Sequence, residues 1–164
     1  MAAHRLILRY HHAIHHLLGL SILFHLMKIL VLCTGNSCRS QMAHGFLQSF
    51  DQNIEVFSAG IHPAEKVHPT AIRVMAEVGI DISHHTPKSV DHYLNESWDY
   101  VITVCGGANE SCPAFVGKVG KRLHIGSDDP SKAKGDEVYV ISEFRRVRDE
   151  IRKAFYDFYV TLLG

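Results

Sequence analysis

The stretch from Lys28 to Phe50, KILVLCTGNSCRSQMAHGFLQSF, decides the fold. It opens with a short, continuous apolar run, Lys28–Leu32, the pattern of a strand buried on both faces of a parallel sheet. A polar segment comes next, Cys33-Thr34-Gly35-Asn36-Ser37-Cys38-Arg39, and then Ser40–Phe50 reads as a helix. A loop that wraps between a strand and a helix N-terminus points several backbone N–H groups inward, which makes an anion nest. Cys33 stands at the base of this loop, where those amides favour the reactive thiolate. Arg39 adds bidentate recognition of a tetrahedral oxyanion. Ser40 can donate its hydroxyl to the Cys33 sulfur. The candidate oxyanion-binding residues are therefore Thr34, Gly35, Asn36, Ser37, Cys38, Arg39 and Ser40.

Outward from this stretch, strand-like and helix-like signals alternate. Ile54–Ser58 reads as a second strand, Tyr100–Val104 as a third and Arg122–Ile125 as a fourth. Pro69–Val78 reads as a helix stopped by Gly79. Ser142–Leu162 reads as a long amphipathic helix with Phe144, Val147, Ile151, Ala154, Phe155 and Phe158 at helical spacing. The pattern predicts an α/β domain: a four-stranded parallel sheet with helices on both faces. Ligands of such sheets sit beyond the carboxyl ends of the strands, which is where Cys33 and Cys105 fall.

The chain has 164 residues, 46% of them hydrophobic and 21% charged, which suits one soluble globular domain with a substantial core. Its formal net charge of zero argues against nucleic-acid binding. Four cysteines are too few for a disulfide-stapled scaffold and suit a reducing cytoplasm. Residues 1–26 differ from the rest, holding six of the 13 His, two Arg and no acid. Their apolar stretch is interrupted by His15, His16 and His25, so it makes a poor membrane span, and no signal cleavage site succeeds it. The pairs His11/His15 and His12/His16 have helical metal-chelating spacing. We read residues 1–26 as an upstream extension and 27–164 as the working domain. A membrane helix, a partner helix and a metal site are the alternatives for the leader.

The residues CTGNSCRSQMA (33–43), Ser58-Ala59-Gly60, Asp128-Asp129-Pro130 and EFRRVRDEI (143–151) resemble the low-molecular-weight protein tyrosine phosphatase superfamily, and within it the thioredoxin-coupled arsenate reductases. The resemblance implies a low-molecular-weight phosphatase-like fold, with Cys33 as nucleophile, Arg39 as oxyanion clamp and Asp129 as general acid. Chemistry agrees on Asp129, because an oxygen leaving arsenic or phosphorus must receive a proton. The substrate implied is arsenate, with phosphate or sulfate as mimics. No bound cofactor and no metal are implied; thioredoxin is the expected external reductant and a monomer the expected state.

Phosphate and arsenate share shape and charge, so further thiols must separate reductase from phosphatase. Cys105 and Cys112 flank the flexible segment CGGANESC, and this pair could supply two electrons. The resemblance implies a relay: Cys33 attacks arsenate, Cys105 attacks Cys33 with release of arsenite, and Cys112 moves the disulfide outward. Gly106 and Gly107 are expected to let the segment unwind. Cys38 is assigned to packing. The alternatives are a low-molecular-weight phosphatase and a non-enzymatic redox switch.

Departures from the family pattern carry information. Many of its phosphatases have a tyrosine pair near the general acid, whereas here only Tyr139 is near. Some of its reductases hold potassium with a loop Asn, a helix Glu, a Ser and an Asp. Asn36 and Ser58 match, but His44 and Lys88 take the carboxylate positions, which opposes a potassium site. The Lys88 ammonium is expected to stand in the cation's place and brace Asn36. His84-His85 is expected to be a solvated turn, while His62 and His68 flank a loop and could line the pocket. Trp98 should pack at the start of the third strand. Arg145, Arg146, Arg148, Arg152 and Lys153 should form the wet face of the last helix.

Overall fold

Strand β1 (Met27–Cys33) lies inside a four-stranded parallel sheet with β2 (Ile54–Gly60), β3 (Trp98–Thr103) and β4 (Val119–His124), in the order β2-β1-β3-β4. This computed structural model describes residues 26–106 and 112–163. The readings of residues 1–25, including both His pairs, and the Gly107 hinge lie outside the described residues. The central place of β1 explains its sequence: Ile29, Leu30, Val31 and Leu32 are all fully buried, as a strand flanked by two neighbours and covered on both faces requires. Burying each such side chain contributes roughly 1.5–3 kcal/mol.

One face of the sheet is covered by helices α1 (Arg39–Phe50) and α3 (Glu137–Leu163), with α2 (Pro69–Ala76) packed against α3. Phe158 of α3 meets Tyr100 of β3 edge-on at 5.2 Å, and Phe50 of α1 lies 5.4 Å from Tyr156. The other face carries Phe57, which meets Tyr93 of a 3-10 helix, Val90–Tyr93, at 5.8 Å. Trp98 is buried at the start of β3, its ring 5.2 Å from Phe57 and its Nε1–H donating to the Tyr93 carbonyl. The α/β architecture is the expected one.

The element ends differ from expectation in ways that have physical causes. Helix α3 begins at Glu137 instead of Ser142, because Asp136 caps it: its Oδ1 accepts the Tyr139 backbone N–H at 2.8 Å. The β-branched, exposed Val138 obscures this first turn in the sequence. Helix α2 closes at Ala76, and Gly79 takes a left-handed φ of 78° beyond it. Strand β4 starts three residues before the expected Arg122, since an exposed edge strand needs no apolar run. Arg148 departs from the expected wet face: it is buried, donating to the Val74 carbonyl at 2.9 Å and to Glu77 at 3.2 Å. Among the described residues no helix is long and apolar enough to cross a membrane.

Candidate active site

Cys33 ends β1 with its side chain buried where the chain leaves the sheet. Two donors reach its sulfur. The Asn36 backbone N–H donates to Sγ at 3.0 Å, and Ser40 Oγ lies 2.9 Å away. The direction of the second bond is set by its neighbour. Asn36 Nδ2 donates to Ser40 Oγ at 2.9 Å, which leaves the Ser40 hydrogen to point at the sulfur. Asn36 is itself fixed, because its Oδ1 accepts the Lys88 backbone N–H at 2.9 Å. The result is a directed donor of the kind a thiolate accepts.

The loop is shaped from outside. The N–H groups of Ile61, His62, Ala64 and His68 donate to the carbonyls of Cys33, Thr34, Gly35 and Ser37 at 2.8–3.2 Å. Gln41 Nε2 takes the Asn36 carbonyl at 3.0 Å, and the Met42 N–H takes that of Cys38 at 2.9 Å. In a trans peptide the N–H opposes the carbonyl, so holding every carbonyl from Cys33 to Cys38 outward turns the loop amides toward the cradle. Asn36 completes the curl with φ of 47°, a conformation asparagine tolerates better than most residues. Gly60, at the end of β2, permits the close approach: a Cβ there would sit 2.7 Å from the Thr34 carbonyl oxygen and 3.0 Å from the Asn36 nitrogen.

Arg39 opens α1 and reaches the opposite rim. Its Nη2 donates to Asp129 Oδ2 at 2.9 Å and its Nη1 to the Ser127 carbonyl at 3.1 Å. Both side chains of this pair are largely sheltered, 12% and 22% exposed, so solvent screens it little. Ser131 holds the other carboxylate oxygen through its N–H at 3.1 Å and its hydroxyl at 2.7 Å. The structure thus brings Cys33, the loop residues 34–40, Arg39 and Asp129 into one site. Cys38 lies within the loop, where burial pushes its thiol up to about 12 and keeps it protonated. Cys105 is buried just past β3, its Sγ 3.4 Å from Thr34 Oγ1, one residue from Cys33. Cys112 is half-buried on the β3–β4 side, and all four cysteines are free thiols.

A second polar cluster backs the loop. Ser58 Oγ and His85 Nδ1 approach Gln41 Oε1 at 3.4 and 2.9 Å, and His44 Nδ1 lies 3.2 Å from Ser58 Oγ. These residues line a cavity of about 300 Å³ with His84, Lys88 and Tyr93. Burial, then the nearby His85, Lys88 and His84 charges, push the His44 imidazole down to about 3, and burial also lowers His85. Two expectations are corrected by this cluster. Lys88 is exposed, and it braces Asn36 with its backbone N–H, not its ammonium. His85 is not a solvated turn residue, because it donates to the buried Gln41. Resemblance to the family marks His44, Ser58 and Lys88 in the sequence, but the hydrogen bonds that join Gln41, Ser58 and His85 link helix α1, strand β2 and a loop beyond α2, which share no spacing. His62 is exposed and contributes its backbone, while His68 caps α2 by accepting the Thr70 N–H at 3.2 Å. Among the described residues no group of three or more His, Cys, Asp or Glu is arranged to hold a metal.

Comparison with known proteins places this geometry. The family model of low molecular weight phosphotyrosine protein phosphatase matches residues 28–163. The chain is 48% identical over 126 residues to an arsenate reductase of Halalkalibacterium halodurans, covering 76% of this chain and 89% of the relative. It is 45% identical over 131 residues to an arsenate reductase of Bacillus subtilis, covering 79% and 93%. A solved structure described as an arsenate reductase in the phosphate binding state superposes with a TM-score of 0.68 at 31% identity, covering 82% of this chain and 98% of the other. The sulphate complex of the tyrosine phosphatase Wzb from Escherichia coli K30, with a TM-score of 0.68 at 21% identity, shares the fold.

Proposed function

The chain belongs to the low molecular weight phosphotyrosine protein phosphatase family, and from that membership we propose that it reduces arsenate to arsenite through three of its thiols. The observation that carries this reading is the placement of Cys105, a free thiol 3.4 Å from the hydroxyl of the residue after Cys33. Hydrolysis of a phosphate ester has no use for a second thiol there. The names of the bacterial relatives support the same choice.

The inward amides and Arg39 seat the oxyanion, which competes with Asp129 for the guanidinium. Cys33 Sγ attacks arsenic, and Asp129, released from Arg39 by the oxyanion and protonated from solvent, gives that proton to an oxygen that leaves as water. Cys105 then attacks Cys33 Sγ, forming the Cys33–Cys105 disulfide. The electron pair of the broken sulfur–arsenic bond stays on arsenic, which departs as arsenite. Cys112 next attacks Cys105, moving the disulfide to Cys105–Cys112 and freeing Cys33. Thioredoxin, or a similar thiol donor, reduces that pair. The same reading gives a cytoplasmic monomer whose working unit is residues 27–164, with no resident cofactor, and the shared Cys33 chemistry gives it residual phosphatase activity.

The test is arsenate-dependent NADPH oxidation with thioredoxin and thioredoxin reductase. Cys33→Ser should abolish turnover. Cys112→Ser should release one arsenite per chain and then stop. Sustained arsenate turnover by the Cys112→Ser protein refutes the relay.

A further inference from the structure

Cys112 has a partner that the relay itself does not require. Arg122 Nη1 donates to Cys112 Sγ at 3.5 Å, and the same guanidinium lies over the Phe115 ring, 5.1 Å from its centroid. The ring contact restrains a long side chain that would otherwise sample many rotamers. In the strand register Arg122 pairs with Val101 and His124 with Thr103. The two-residue alternation puts Val101 and Thr103 on the same side of β3, and Cys105 follows two residues beyond the end of that strand. Cys112, Arg122, Val101, Thr103, Leu123 and His124 together line a cavity of about 430 Å³. Cys112 therefore rests over the part of the β3–β4 ladder that leads to Cys105, with space beside it.

We propose that Arg122 is a positioning residue for disulfide migration, holding the Cys112 sulfur on the sheet face that leads to Cys105. The inference rests on the relay proposed above. In the step it serves, Cys112, having lost its proton to solvent, attacks Cys105 Sγ. The Cys105–Cys112 bond forms, the Cys33–Cys105 bond breaks, and its electron pair leaves on Cys33 as thiolate, with no net oxidation. A guanidinium at the attacking sulfur restricts its search and stays close to the negative charge shared among the three sulfurs. An edge-strand arginine serving only as a solvated charge needs neither the sulfur contact nor the ring beneath it.

The experiment compares the unmodified protein with Arg122→Ala and Arg122→Lys. It reads arsenite released in a single turnover without reductant, steady-state turnover with thioredoxin, and the disulfides present after one acid-quenched turnover. Arg122→Ala should keep the single-turnover arsenite yield and rate, lose about tenfold in steady-state rate, and accumulate the Cys33–Cys105 disulfide. Arg122→Lys should recover a large part of the loss. An unchanged steady-state rate, an equal loss in the first turnover, or an unchanged disulfide pattern in Arg122→Ala overturns the proposal. Absence of arsenite from the unmodified protein overturns the relay reading and this inference with it.

Discussion

At Cys33 the two donors to the sulfur are not equivalent. The Asn36 amide is part of the loop and comes with it, whereas the Ser40 hydroxyl depends on one side chain aligned by another. Ser40→Ala should therefore leave the fold intact by circular dichroism and slow first-turnover arsenite release by about 10- to 100-fold, the worth of a hydrogen bond to a charged group. A rate within twofold of the unmodified protein would exclude Ser40 from the mechanism. This part of the site is legible in the sequence because a strand, a loop and a helix start fix where residues 33–40 must lie. The Asn36 brace is not, because residue type suggests a side-chain ammonium, while the contact is made by the Lys88 backbone, which every residue type except proline could supply.

At the scale of elements, the cradle is held from outside by a segment that carries none of its chemistry. Residues 61–68 give four backbone N–H groups to the loop, and β2 ends on a glycine pressed against it. Gly60→Ala drives a methyl group into backbone atoms that cannot step aside. It should lower stability by about 1–3 kcal/mol in urea unfolding. It should also cut activity more than that loss explains when assayed well below the melting temperature; full activity would show that the loop tolerates the displacement. Family resemblance marks Ser58-Ala59-Gly60 in the sequence, but no periodicity could reveal which backbone groups meet across a loop. The early start of α3 has a similar origin, since its capping bond at Asp136 is a local geometric fact that the β-branched turn conceals.

For the whole molecule, the histidines link stability to pH. His44 sits near 3 in the folded protein against about 6.5 in the unfolded chain, so between those values the unfolded state binds the extra proton. The associated stability is complete above about pH 6.5 and is lost as pH falls toward 3, with a slope of up to about 1.4 kcal/mol per pH unit. His85 and His68 shift in the same direction. The urea midpoint should fall between pH 7 and pH 5, and His44→Gln should flatten that fall. An identical slope in the variant would exclude His44 as a source. The overall architecture needs only apolar runs and helix periodicity to be read, whereas the hydrogen bonds of this buried network leave no pattern in the sequence because they form only when helix α1, strand β2 and the loop holding His85 fold together.

The outward-held carbonyls have a last consequence. A cradle whose amides are set by neighbouring backbone has its shape before anything enters it, and it measures only a tetrahedral outline and a negative charge. Arsenate and phosphate satisfy both, so competition at the doorway is decided by abundance. Discrimination then belongs to the steps after occupancy. Under the proposed relay, a phosphoryl group on Cys33 would offer Cys105 no reducible centre and would have to leave by hydrolysis or by reversal, while an arsenyl group would accept the electron pair. Under this scheme the enzyme selects its substrate by commitment, after binding has already occurred.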